Sequence, residues 1–404
     1  MGESRRGRPA RPGASARSGA GRGLAAGTAL RRRSRVPGGG EPSAWAAARA
    51  TAKIEWDLTV TDPAAVGLSP DPAPALARAA RLPYHPDPQG LPAARRAIAE
   101  ALPGADPDRL VLAASTSEGY AWLFKLLLEP GEPVAVPRPA YPLVDLLAQV
   151  EGVEPRPYSL YYDGTWHVAL AEIEESLAAG ARAVVVVHPS NPVGATVRGE
   201  ARRQLVERVA AHDAALIVDE VFLDTTRAPS FVGEAGCDTF VLSGLSKLCA
   251  LPGVKLAWIH LSGPHAEAYL EQLLWIADTF LSVSAPVQHA APELLALRGR
   301  VQRGIARRLA SNRGTLRRLR GESACWDVVS EAAGWYAVLR LPALRTSAEW
   351  AVDLLETGVA VHPGEFYGLE ECHLVASLLP PPEVFAAGMR RVAEQVEGRT
   401  TRAG

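Results

Sequence analysis

The chain has 404 residues, of which 48% are hydrophobic and 22% charged, and its formal net charge is −1. This is enough apolar chain for a substantial core in two or three domains. Four scattered cysteines without a CxxC pair argue against a disulfide framework or a zinc site and fit a reducing cytoplasm, and the longest apolar stretch, around 119–128, is broken by Lys125 and too short to span a membrane.

Charge is uneven along the chain. Residues 1–50 hold eleven arginines against Glu3 and Glu41, a net of +9, which leaves −10 for the remainder. Rich in Gly, Ala, Pro and Ser and without periodicity, residues 1–52 are expected to be a disordered basic extension. A nucleic-acid arm, an organelle transit peptide and upstream sequence from an early start codon all share this composition. The Ala, Arg, Gly and Pro bias of the whole chain favours the third. The acidic body argues against nucleic acid as the main ligand.

Order is predicted from Lys53. Residues 53–80 are expected to pack on a small domain, 81–290 to form a large domain, and 291–398 to form the small one. Helices are predicted over 91–103 and 116–129. Then β-branched runs alternate with helical stretches: VAVP (134–137), AVVVVHP (183–189), ALIVDE (215–220), TFVLSG (239–244) and KLAWIHL (255–261). Only a short turn separates the last two. Continuous apolar strands between helices imply an α/β fold with a mainly parallel sheet covered on both faces. Ligands of such sheets bind beyond the carboxyl ends of the strands. Asn191, Asp219 and Lys247 occupy those ends. Residues 265–320 read as helical.

Lys247 is one of only four lysines among 43 basic residues. It follows a buried strand and precedes a Pro-Gly turn, so apolar walls would lower its pKa and leave a neutral amine able to form an imine. His188 reads as a strand-end histidine satisfied by the backbone, and His362 as a weak substrate contact. Trp258 and Trp275 read as core.

The motifs of this chain resemble those of the fold-type I pyridoxal-phosphate enzymes, specifically the class I/II aminotransferases, over about residues 55–398. YHPDPQGLPAAR (84–95), STSEGY (115–120), PRPAYP (137–142), HPSNPVGA (188–195), VDEVF (218–222) and SGLSK…PGVK (243–255) occur in the family's order, with 28 residues from Asn191 to Asp219 and 28 from Asp219 to Lys247. The resemblance implies a seven-stranded-type sheet with a smaller α+β domain, pyridoxal 5′-phosphate as cofactor, and a homodimer with shared active sites. It assigns Lys247 to the cofactor's Schiff base and to proton transfer. Asp219 goes to the pyridine nitrogen, Asn191 to the ring hydroxyl, and Tyr141 to the ring face. Thr116, Ser117, Ser246 and Lys255 go to the phosphate, as does Tyr84 across the dimer. The expected reaction moves an amino group from an amino donor to a keto acceptor. A lyase, decarboxylase or cyclase on the same fold, or a catalytically silent binding protein, are the alternatives.

The chain departs from the family pattern in places. Phe222 stands where a tyrosine is usual, Lys255 replaces a phosphate-binding arginine, and Gly244 stands where a serine often precedes the lysine by three. In CHLVASLL (372–379), alignment on Ser377 puts Val375 at the position of the arginine that clamps the substrate's α-carboxylate. The substrate is therefore expected to lack that group, or His373, on the same strand face, reads it instead.

Overall fold

The computed structural model describes residues 42–281, 283–369 and 372–403. Helix α1 (Ala44–Thr51) and strand β1 (Trp56–Asp57) come first, then α2 (Ala73–Ala79) and α3 (Pro92–Ala101). An alternation follows: β2 (Leu110–Ala113), α4 (Thr116–Leu127), β3 (Pro133–Arg138), α5 (Leu143–Glu151), β4 (Glu154–Tyr162), β5 (Trp166–Val168), α6 (Leu170–Ala178), β6 (Ala183–Val187), α7 (Gly199–Ala211), β7 (Ala215–Asp219), β8 (Asp238–Gly244), the one-turn α8 (Leu245–Leu248) and β9 (Ala257–Ser262). Helices α9 (Ala266–Phe280), α10 (Ala285–Leu295) and α11 (Arg298–Glu322) lead to β10 (Asp327–Ser330), β11 (Tyr336–Arg340), α12 (Ser347–Glu356), β12 (Val359–Ala360), β13 (His362–Pro363), β14 (His373–Ser377) and α13 (Pro382–Ala403).

Eight strands form one sheet in the order β2-β9-β8-β7-β6-β3-β4-β5. The five from β8 to β4 run parallel, while β9 and β5 are antiparallel to their neighbours. Ala183, Val185, Ala215 and Ile217 pack on one face, and Val184, Val186, Leu216 and Val218 on the other. Both faces are covered, which is why these strands read as continuous apolar runs. The short connection from β8 to β9 returns the chain beside its own strand, so β9 runs antiparallel.

Strands β2, β4 and β5 were not expected. Pro155 and Pro157 hide β4, since proline lacks a ladder donor. Both lie where β4 is paired with β3 alone, because β5 joins only at 160–162.

A four-stranded antiparallel sheet, β10-β11-β14-β13, shares a core with one face of the large sheet. The segment expected to fold back as one piece over 53–80 divides. Trp56–Asp57 pair with β12, and Leu58 is buried beside them, but α2 packs on α10, in a core cluster that α3 shares. The expected disordered extension is corrected over 44–51. Ser43 caps α1, Arg49 reaches Asp57 at 2.8 Å, and Trp45 meets the His362 ring edge-on. Short-range periodicity missed this helix because it is anchored by distant partners. The rest of the extension, residues 1–41, lies outside the described residues. Among those described, no helix is long and apolar enough to cross a membrane.

Candidate active site

The register of the parallel strands aligns Val187, Asp219 and Leu242 in one row at the carboxyl edge of the sheet. Asn191 and Lys247 follow within a few residues, so three strand ends deliver one side chain each. With Thr116, Tyr141, Phe222, Ser246 and Tyr336 they line a cleft of about 250 Å³.

Lys247 sits on α8. From α11, Gln302 donates to the carbonyls of Lys247 (3.1 Å) and Leu248 (2.7 Å), which pins this single turn. The Lys247 amine lies 4.8 Å from the Trp335 ring and 5.7 Å from the Phe222 ring. Burial lowers its pKa, while Asp219 and Asp62 pull the other way. Gly244 precedes α8 because nothing larger fits: a Cβ there would stand 2.9 Å from the Leu256 carbonyl oxygen. The absent serine thus has a steric cause in the close approach of β8 and β9.

Asp219 ends β7 and is buried, which raises its pKa to about 6. The Val221 N–H donates to Oδ1 (3.1 Å) and the Tyr120 hydroxyl to Oδ2 (3.3 Å), both favouring the ionised form. Asn191 accepts the Tyr141 N–H at its backbone carbonyl (3.0 Å). Its side chain meets the Tyr336 hydroxyl, yet Oδ1 is buried without a partner. Burial pushes Tyr336 up to about 12, so the hydroxyl stays protonated. Tyr141 stands at the mouth, edge-on to Phe366 at 6.0 Å. Phe222 packs edge-on to Trp335 and Tyr336.

Helix α4 presents its N-terminus to the cleft. Ser115 Oγ accepts from the Glu118 N–H and the Glu118 carboxylate accepts from the Ala114 N–H, a reciprocal cap that fixes the turn. Thr116 faces the cleft and Ser117 does not line it. Lys255 and Tyr84 share a shallow hollow on the other side of this turn, with Ala114 and Glu118. Lys255 is turned outward by a left-handed backbone, φ 61°, at the end of the 252–254 turn. Within one chain it is not a cleft residue.

The two expected substrate residues are also displaced. Tyr336 pairs with Ser377, Val338 with Val375 and Arg340 with His373. All six side chains share a face, but only the Tyr336 rung reaches the cleft. Val375 is fully buried in the core, and His373 lines a different hollow with Arg138, Trp166 and Arg340. His188 behaves as expected: Nδ1 accepts the Val197 N–H and Nε2 meets the Pro229 carbonyl. His362 is half-buried, its pKa lowered by desolvation to about 4, and bonded to the Tyr367 hydroxyl at 3.1 Å, outside the cleft lining. Trp258 is core, whereas Trp275 is 77% exposed. Thr61, Tyr120, Trp335 and Tyr336 escaped the sequence reading. Tyr120 lies within STSEGY and carried the only local signal.

Residues 65–377 match the family Aminotransferase class I and II. Alanine aminotransferase of Mycobacterium tuberculosis (strain ATCC 25618 / H37Rv) is 31% identical over 227 residues, 52% of each chain. Glutamate-pyruvate aminotransferase AlaA of Escherichia coli (strain K12) is 28% identical over 216 residues, 50% of this chain and 53% of its own. The chain thus spans about half the length of the curated relatives it matches. In fold it is similar to the alanine aminotransferase from Pyrococcus furiosus, with a TM-score of 0.78 and 23% identity over 86% of this chain and 93% of that one. The tyrosine aminotransferase from Leishmania infantum also gives 0.78, at 20% identity over 86% and 92%. With its sheet, its lysine-bearing strand end and a family match over most of its length, the chain belongs to the class I and II aminotransferases, a pyridoxal-phosphate-dependent family.

Proposed function

We propose that the protein catalyses transamination between a primary amine and a carbonyl acceptor, with Lys247 holding pyridoxal 5′-phosphate covalently. The observation that carries this reading is the juxtaposition of a half-buried lysine of lowered pKa with a buried carboxylate in one cleft. The residues present suit the cofactor. The unpartnered Oδ1 of Asn191 needs a polar partner that no described residue supplies, and a ring hydroxyl meets that need. Asp219 would face the ring nitrogen, held in place by Tyr120 and the Val221 N–H. A cation there would lower the Asp219 pKa and keep the carboxylate charged. Thr116, Ser246 and the α4 N-terminus would take the phosphate, and Tyr141 would cover the ring.

When bound, the cofactor supplies a carbonyl for the donor's amine and an electron-withdrawing ring. Lys247, its pKa lowered by burial, would take the proton from the donor's α-carbon and return it to the acceptor's. The apolar walls of Phe222 and Trp335 would keep water away from that proton.

The lining of the cleft also bears on substrate. Lys247 is its only cation among the described residues. A carboxylate bound there would lack a charged partner, at a cost of several kcal/mol. We therefore assign a donor without an α-carboxylate, such as an amine or amino sugar, although two relatives are named for alanine and glutamate-pyruvate. A second copy of the chain would bring its Tyr84 to the phosphate. The four cysteines are thiols, as in a reducing cytoplasm. Visible spectra of the purified protein, before and after a panel of amines, test these points. A keto product supports transamination, while ammonia or carbon dioxide would make it a lyase or decarboxylase. Efficient half-reaction with alanine or glutamate would remove the substrate assignment alone. Lys247→Ala should lose the lysine-bound cofactor band and all turnover, and an unchanged spectrum would remove the assignment of the lysine.

A further inference from the structure

Helix α11 is unusually charged. Its 25 residues carry nine arginines and one glutamate, within a chain whose residues beyond 50 are net acidic. One stripe is buried, including Val301, Ile305, Leu309, Leu316 and Leu319, so the arginines are confined to the remaining faces. Carboxylates neutralise three of them: Arg298 by Asp224, Arg317 by Glu331 and Arg320 by Asp327. Arg308 and Arg313 donate to the carbonyls of Leu379 and Gly334. Arg300, Arg303 and Arg307 pair with no carboxylate among the described residues.

Arg300, Arg307 and Arg308 line a groove of about 500 Å³. The Gly67–Pro70 segment, Ser311 and Pro382 at the start of α13 line it with them. No carboxylate lines it, and it shares no residue with the lysine cleft. Arg300 and Arg307 are two turns apart, about 10 Å along the axis. A ligand that engages both therefore carries charge at more than one point. Guanidinium groups match phosphate oxygens two at a time, and they stay charged at any physiological pH. Gly304 lies between them on the groove floor, and a Cβ there would meet nothing within 4 Å. A long side chain at this position would enter that open space.

We propose that this groove binds a small polyphosphate or multiply phosphorylated compound through Arg300, Arg307 and Arg308. Its volume suits a small molecule, whereas a nucleic-acid duplex would track a longer basic surface.

Titration calorimetry on the full chain as purified, with tripolyphosphate, pyrophosphate and inorganic phosphate, tests it. Tripolyphosphate should bind one per chain, and tighter than inorganic phosphate. The double variant Arg300→Ala/Arg307→Ala should weaken it about tenfold or more. Gly304→Leu should weaken it to a similar degree while every charge remains. That variant replaces a helical glycine with a better helix former, so it should fold; circular dichroism checks this. Affinity unchanged in folded Gly304→Leu, or no saturable tripolyphosphate binding, would overturn the proposal. Tighter binding of a labelled DNA duplex that is indifferent to Gly304→Leu would also overturn it, and would make α11 a nucleic-acid face.

Discussion

Asp219 and Glu220 are adjacent carboxyl groups buried at the end of β7, and they serve the fold in opposite ways. Glu220 accepts from the Ser230 hydroxyl and the Phe231 N–H, both at 2.6 Å, and holds the 230–231 turn. Asp219 has two donors among the described residues and opens onto the cleft. Burial raises the two pKa values to about 6 and about 7. A raised carboxyl means that the folded chain binds its proton more tightly than the unfolded chain does. Stability without cofactor should therefore be greatest below about pH 4 for these two groups, and fall as pH rises towards 7, by a few kcal/mol. Glu220→Gln removes one titration while keeping both bonds, since the Ser230 hydroxyl can turn to accept. Urea midpoints measured from pH 4.5 to 8 should show a shallower decline in this variant; an identical slope would mean that Glu220 is not the group titrating. Asp219→Ala should leave cofactor bound and slow α-proton removal by orders of magnitude, at about 1.4 kcal/mol per tenfold. Half-reaction rates within tenfold of wild type would contradict its place at the ring. Phe222→Tyr puts a hydroxyl near the Lys247 amine and the ring's oxygen. The spectral titration of bound cofactor should shift to lower pH, and an unmoved midpoint would place that hydroxyl elsewhere.

At the scale of elements, strand ends and strand interiors have different consequences for Val375. A strand fixes which face a side chain takes, but not which rung meets the cleft. Val375 lies two pairs away from the Tyr336 pair, between Val338 and His362, with no exposed surface. Val375→Arg should not build a carboxylate clamp. It should bury an unpaired guanidinium and cost several kcal/mol, seen as a large fall in melting temperature; a stable variant with new activity on amino acids would show that the rung can reach the cleft. The same distinction explains which parts of the site were legible. Asn191, Asp219 and Lys247 each follow an apolar run of parallel sheet, so their position was set by local pattern. Tyr120, Tyr336 and Thr61 come from a helix interior, a second sheet and an irregular segment. Only tertiary packing brings them to the cleft, and no spacing in the sequence marks them. Helix α1 escaped for a similar reason, its partners Asp57 and His362 being distant in sequence or fold.

At the scale of the whole molecule several large apolar side chains are uncovered, and two of them, Tyr84 and Leu281, meet at one hollow. Trp275 is 77%, Leu281 74% and Tyr84 69% exposed. Tyr84 and Leu281 line the same hollow as Lys255, beside the turn whose other side faces the cleft. Contiguous exposure of this kind marks an interface. A second copy covering it would place aromatic and cationic groups next to the phosphate end of each site, which accounts for why Tyr84 and Lys255 lie outside the cleft of a single chain. Sedimentation at micromolar concentration should give a dimer. Tyr84→Glu combined with Leu281→Glu should give monomers that lose cofactor, since charges would be buried on both sides of a two-fold contact. Tyr84→Phe separates the two roles of this residue, because it keeps the ring that packs and removes only the hydroxyl that would reach the phosphate. It should remain dimeric and weaken cofactor retention, by about tenfold or more for one lost hydrogen bond to a charged group. Unchanged retention in dimeric Tyr84→Phe would confine Tyr84 to packing, and a monomeric wild type with full activity would remove the shared site altogether.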